Sequence, residues 1–202
     1  MENFVAIVGT NSTASTNRQL LQFMQRHFAA QAKIELIEIA ELPIFNKPAD
    51  KKLPLLVQTI DQKIMASDGV IISTPEYDHS VPASLSNALA WFSYGEHPFV
   101  DKPVMITGAS YGSLGSSRAQ SHLRQILDAP ELRARIMPSS EFLLGHSLTA
   151  FDEHGDLKDS EQVAKLTGLF ADFLDFVKLT NQLVHAKKIN QREAQNFSWD
   201  KI

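Results

Sequence analysis

Gly69-Val-Ile-Ile-Ser-Thr-Pro-Glu-Tyr-Asp-His-Ser-Val-Pro-Ala-Ser-Leu-Ser-Asn-Ala-Leu-Ala-Trp-Phe92 reads as a strand, a loop and a helix in succession. Gly69 to Ser73 is a short apolar run of the kind that forms a buried strand. Pro82 marks the helix start, and Leu85, Leu89 and Phe92 recur at helical spacing. A loop between a buried parallel strand and the following helix lies where open α/β sheets bind ligands. This loop brings Pro75, Tyr77 and several hydroxyl side chains to that place.

Outward from this unit the same alternation repeats. Strands are predicted at Phe4–Val8, Lys33–Ile39, Val70–Ile72, Pro103–Thr107 and Glu141–Leu144. Helices are predicted at Ser15–Ala30, Pro54–Ala66, Pro82–Phe92, Ser116–Leu127 and Ser160–Leu179. The charged-apolar alternation of Lys33–Ile39 suits an edge or near-edge strand. The succession implies an α/β fold, a doubly wound parallel sheet with helices on both faces. Periodicity does not fix the strand order. Residues 1–180 form one expected domain, and 181–202 a helical extension or mobile tail.

Composition narrows the function. The chain has 202 residues, 44% hydrophobic and 21% charged, as expected of one globular domain. A formal net charge of −4 argues against a general nucleic-acid binder. No apolar run approaches the ~20 residues of a membrane span, and Met1 to Val8 has no signal-peptide pattern. A cytoplasmic location is the expectation. With no cysteine in the chain, thiolate clusters and cysteine nucleophiles are excluded. The seven histidines show no metal-ligand spacing, so no metal is expected.

Two further loops bear on a ligand. Gly9-Thr-Asn-Ser-Thr-Ala-Ser-Thr-Asn-Arg18 follows the first strand and leads into a helix. Its hydroxyls and peptide N–H groups support either helix capping by Ser15 or an anion site, with equal weight. It is neither a nucleoside-triphosphate loop nor a Gly-x-Gly-x-x-Gly turn. Gly108-Ala-Ser-Tyr-Gly-Ser-Leu-Gly115 follows the fourth strand. Its glycines allow close approach of backbone to a flat ligand.

Pro75-Glu-Tyr-Asp-His-Ser80, with these two loops, resembles the NAD(P)H-dependent FMN reductase family, which includes quinone, azo-dye and chromate reductases. The resemblance spans roughly residues 3 to 178. It implies a flavodoxin-like five-stranded sheet of order 2-1-3-4-5 carrying FMN across the ends of strands one, three and four. NADPH or NADH is the implied electron donor. Flavins, quinones, azo dyes or oxidised metal ions are the implied acceptors, served in ping-pong fashion.

The cofactor-binding residues carried over are Thr10, Ser12, Ser15, Thr16 and Asn17 at the phosphate. Pro75, Glu76, Tyr77 and Asp78 follow in the second loop, and Ser110, Tyr111, Gly112 and Ser113 in the third. The cofactor carries the chemistry, so no catalytic side chain is assigned. A homodimer or homotetramer is implied, with Ser84–Tyr94 a candidate contact and Trp91 and Phe92 either core or interface. Two positions depart from the family pattern. Ser12 replaces an arginine, so one charge-assisted phosphate contact is lost, and Arg18 either compensates or points to solvent. Asp78 replaces an asparagine. Near the ring it would oppose the anionic reduced flavin; turned outward it would have little effect. A non-enzymatic flavin carrier, or a paralogue with weakened FMN binding serving as a partner subunit, are the alternative readings.

Overall fold

The computed structural model describes residues 1–197. Its strands are β1 (Glu2–Val8), β2 (Ala32–Ile37), β3 (Gly69–Ser73), β4 (Pro103–Ala109), β5 (Arg135–Ile136) and β6 (Phe142–Leu144). Its α-helices are α1 (Thr16–His27), α2 (Leu55–Ala66), α3 (Ala83–Tyr94), α4 (Ser117–Leu127), α5 (Ser160–Asn181) and α6 (Lys187–Asn196). All the pairings are parallel and the order is β2-β1-β3-β4-β5, with β6 also paired to β4. The expected flavodoxin-like order is therefore present. β2 is at the edge, as its alternating burial requires.

The fifth position differs from the expectation. It is two short strands in tandem, β5 against Pro103–Val104 and β6 against Thr107–Ala109. Between them Pro138 has no N–H to give to a ladder, and Ser139 adopts positive φ (54°). Arg124 bridges the break, donating to the carbonyls of Met137 and Ser140 at 3.0 and 2.6 Å. The two-residue Arg135–Ile136 is too short to leave a periodic signal.

The period-2 pleat divides the core. Val5, Ile7, Val70, Ile72, Val104 and Ile106 face α2, α3 and α4. Phe4, Ala6, Val8, Ile71 and Met105 face α1 and α5. On that second face Phe28 stacks on Phe170 with centroids 3.9 Å apart. Trp91 and Phe92 are both buried. Trp91 Nε1 donates to the Pro43 carbonyl (2.7 Å), so both rings belong to the core.

Within the tail, α6 packs back on the domain through Asn190, which donates to both carboxylate oxygens of Asp101, and through the Arg133–Glu193 ion pair. The remaining tail residues, 198–202, lie outside the described residues. No described helix is long and apolar enough to cross a membrane.

Candidate functional site

Three strand ends meet at one cleft. β1 leaves the sheet through Gly9, whose N–H donates to the Ser73 carbonyl at 2.8 Å. A Cβ there would sit 2.6 Å from that oxygen, so only glycine lets the first loop pass this close to β3. Ser15 then caps α1, its hydroxyl accepting from Arg18 N–H at 3.1 Å.

Asn17 is a clamp between elements. It is buried; its Nδ2 donates to the Ala109 carbonyl, and its Oδ1 accepts from Ala109 N–H and the Ser73 hydroxyl, all at 2.8–2.9 Å. Thr16 is engaged likewise with the Ser147 hydroxyl at 2.8 Å. Their side chains are thus spent on the fold, so a ligand would meet them through the backbone at the start of α1.

The second loop is a tight hairpin. Tyr77 and Ser80 exchange both backbone hydrogen bonds, at 3.0 and 2.9 Å. Asp78 and His79 between them have φ of 50° and 62°. Two successive left-handed residues define a turn that suits aspartate as well as asparagine. Asp78 is exposed at its tip and does not line the cleft, unlike the other residues carried over for the cofactor.

Glu76 does line the cleft, with its carboxylate turned to the start of α4. It accepts from Arg118 N–H at 2.9 Å and from Ala119 N–H at 3.4 Å. Burial opposes its ionisation. Hydrogen bonds from His79 and those backbone groups, with the Arg118 charge, outweigh burial and hold its pKa below the ordinary value.

The third loop is held from behind by the last residue of β6 and those that follow it. Ser110 N–H donates to Leu144, His146 N–H to Gly112 and Ser147 N–H to Ser110, each at 3.0 Å. Gly112 lines the cleft, and a Cβ built on it meets no atom within 4 Å, leaving backbone open to a flat ligand.

The result is a cleft of about 510 Å³, within the ~300–1,000 Å³ of small-molecule sites. Thr10, Ser12, Ser15, Thr16, Asn17, Pro75, Glu76, Tyr77, Ser110, Tyr111, Gly112 and Ser113 line it. Ala14, Ala109 and Leu114 join them without having been singled out. Leu114 and Ala109 sit within the glycine-rich segment, but their side chains carry no chemistry that a sequence would flag. Two half-exposed tyrosines flank the opening: the Tyr77 hydroxyl lies 3.3 Å from Thr10 Oγ1, and the Tyr111 hydroxyl 3.5 Å from the Ala14 carbonyl. Among the described residues no lysine, arginine or histidine lines the cleft. Arg18 is turned to the other side of its loop, paired with Glu38 at 2.6 Å.

A second cavity of about 470 Å³ lies among Lys47, Lys51, Lys52 and Gly95. It gathers none of the three loops at the strand ends.

The arrangement suits a flat, partly apolar ligand with an anionic end. Tyrosine rings and open glycine backbone serve the flat part. Peptide N–H groups at a helix start serve the anion. FMN has this shape and charge, and the residues present fit it.

Comparison with known proteins agrees. A family model described as NADPH-dependent FMN reductase matches residues 3–149. The NADH:(hydroxy)cinnamate reductase subunit CrdA of Vibrio ruber is 54% identical over 197 residues, covering 98% of this chain and 97% of its own. NADH-dependent flavin reductase subunit 2 of Lactobacillus johnsonii is 43% identical, covering 86% and 96%. The quinone reductase of Escherichia coli K12 is 32% identical, covering 86% and 94%. Among solved structures, the flavoenzyme NAD(P)H:(acceptor) oxidoreductase FerB of Paracoccus denitrificans superposes with a TM-score of 0.80. It is 26% identical, over 89% of this chain and 99% of FerB.

Proposed function

This chain belongs to the NADPH-dependent FMN reductase family, and on that premise we propose that the cleft at the ends of β1, β3 and β4 holds FMN for NAD(P)H-dependent reduction of small-molecule acceptors. The observation that carries the reading is the convergence of the three loops on one cleft, with a cation-free anion cradle at one side and two tyrosines at the opening. Bound FMN supplies two-electron exchange between a nicotinamide donor and an acceptor such as a flavin or quinone.

The chain's own residues bind and orient. Peptide N–H groups of the first loop and the hydroxyls of Thr10, Ser12 and Ser15 take the phosphate. Tyr77 and Tyr111 flank the ring and limit water. The Gly112 backbone admits close approach, and Glu76 ties the second loop to α4. No side chain is required as general acid, base or nucleophile. Asp78, at the hairpin tip, takes no part in holding the ring.

An anaerobic spectral titration with FMN, followed by NADH or NADPH, tests this. Saturable binding and bleaching near 450 nm (roughly where oxidised flavin absorbs, a cofactor property) are expected. Failure to bind FMN would overturn the reading. Binding without bleaching would favour a carrier reduced by another protein.

Two proposals concern assembly. Ala83, Ser86, Ala90 and Ser93 form a stripe of small, partly exposed residues on α3, and Asn87 of the same helix holds Pro43 and Phe45, which flank the exposed Ile44; this supports a homodimer or homotetramer built on that face. Two relatives above 40% identity are each named as a subunit of a reductase, which supports a second reading in which this chain passes electrons to a different subunit. A cytoplasmic location fits a cysteine-free chain that draws on NAD(P)H.

A further inference from the structure

The loop that forms the anion cradle carries a cation that does not enter it. Arg18 lies in the first turn of α1 and is not part of the cleft wall. All its donors act on the outer side of the loop. Nε and Nη2 donate to the two carboxylate oxygens of Glu38 at 2.6 and 2.8 Å, a fork that guanidinium provides and ammonium does not. Nη1 donates to the carbonyls of Ser12 and Thr13 at 2.9 and 3.2 Å. Glu38 follows β2 at the edge of the sheet and anchors the guanidinium there.

Those two carbonyl contacts fix the direction of the loop's donors. A trans peptide is planar, with its carbonyl and the next residue's N–H pointing opposite ways. Holding the Ser12 and Thr13 carbonyls on the guanidinium turns the Thr13 and Ala14 N–H groups to the opposite face of the loop. On that face Ser12, Ala14 and Ser15 line the cleft. Neither N–H donates a hydrogen bond among the described residues.

Granted the flavin reading of the cleft, we propose that Arg18 and Glu38 form a latch behind the first loop that sets its peptide N–H groups for a terminal phosphate. Arg18 is then a positioning residue that never touches the ligand. Phosphate recognition rests on neutral donors, and the charge that organises them stays outside the cleft.

FMN and riboflavin share ring and ribityl chain and differ only in the phosphate, so their affinity ratio isolates this effect. The wild-type protein, Arg18→Met and Glu38→Gln are titrated with each flavin by fluorescence quenching, with melting temperatures of the flavin-free proteins measured alongside. Arg18→Met is expected to weaken FMN about tenfold or more and riboflavin less than about twofold. Glu38→Gln is expected to weaken FMN in the same direction, by a smaller factor.

An equal change for both flavins in Arg18→Met, or no change for either, would overturn the latch while leaving the flavin reading intact. Tighter FMN binding in Glu38→Gln would overturn it differently, showing that a freed Arg18 is a direct phosphate ligand. If Arg18→Met fails to fold, the sign of the Glu38→Gln effect decides alone. If the wild-type protein binds neither flavin, the latch and the flavin reading fall together.

Discussion

At the scale of single residues, two side chains have roles that their identities do not announce. Asn17 sits where a phosphate ligand is expected by resemblance, yet its amide fastens α1 to β3 and β4. Asn17→Ala leaves the Ala109 backbone groups and the Ser73 hydroxyl buried without partners. It is expected to cost about 2–4 kcal/mol of stability, read as a lower midpoint in urea unfolding of the flavin-free protein. Asp61, on the inner face of α2, is fully buried, and neither carboxylate oxygen has a hydrogen bond of good geometry, the Glu96 backbone giving only a weak one. Burial pushes its pKa up to about 7 from 3.8. The folded state therefore binds a proton that the unfolded chain releases. Stability falls as pH rises between 3.8 and about 7, by at most about 1.4 kcal/mol per pH unit, and is level above that. Asp61→Asn is expected to raise the melting temperature by an amount that grows from pH 5 to pH 7. An increment independent of pH would contradict this account.

At the scale of elements, the cleft depends on segments holding one another in place. The second loop is fixed because Glu76 occupies the start of α4, where free N–H groups and the helix dipole favour an anion. The Glu76 pKa is held below its ordinary 4.5 in the folded state, so its contribution is present above that value and lost as pH falls through the folded one. Glu76→Gln is expected to lower stability at pH 7 by about 1 kcal/mol and to remove this acid-side loss. Chemical denaturation at pH 7 and pH 3.5 checks both parts. The third loop depends on residues 144–147, at and just beyond the end of β6, which the sequence alone did not connect to it. The link is invisible there because it runs through backbone groups 34–37 residues apart in the chain, as in Ser110 to Leu144 and Ser147 to Ser110.

At the scale of the whole molecule, the prediction concerns assembly. If α3 pairs two copies through its small-residue stripe, light scattering should give at least twice the 22.5 kDa chain mass. Ala90→Arg should then release monomers that remain folded, since Ala90 is only partly buried within its own chain. A monomeric wild-type protein would remove this face from consideration.

The alternation of strands and helices is legible in the linear order of residues, because buried strands and one-sided helices each impose a countable apolar period. That order also marks the three loops, since glycine, proline and hydroxyl residues cluster where the backbone must turn or meet a ligand. The resemblance then supplied the strand order, which local periods cannot contain. What each loop residue does follows from the folded arrangement alone. Asn17 and Glu76 spend their polar atoms on distant partners, Asp78 lies at a turn tip, and Arg18 faces away from the cleft. Hydrogen bonding is directional and saturable, so a side chain's role depends on which groups the fold brings within about 3 Å of it. That distance has no counterpart in the linear order of residues.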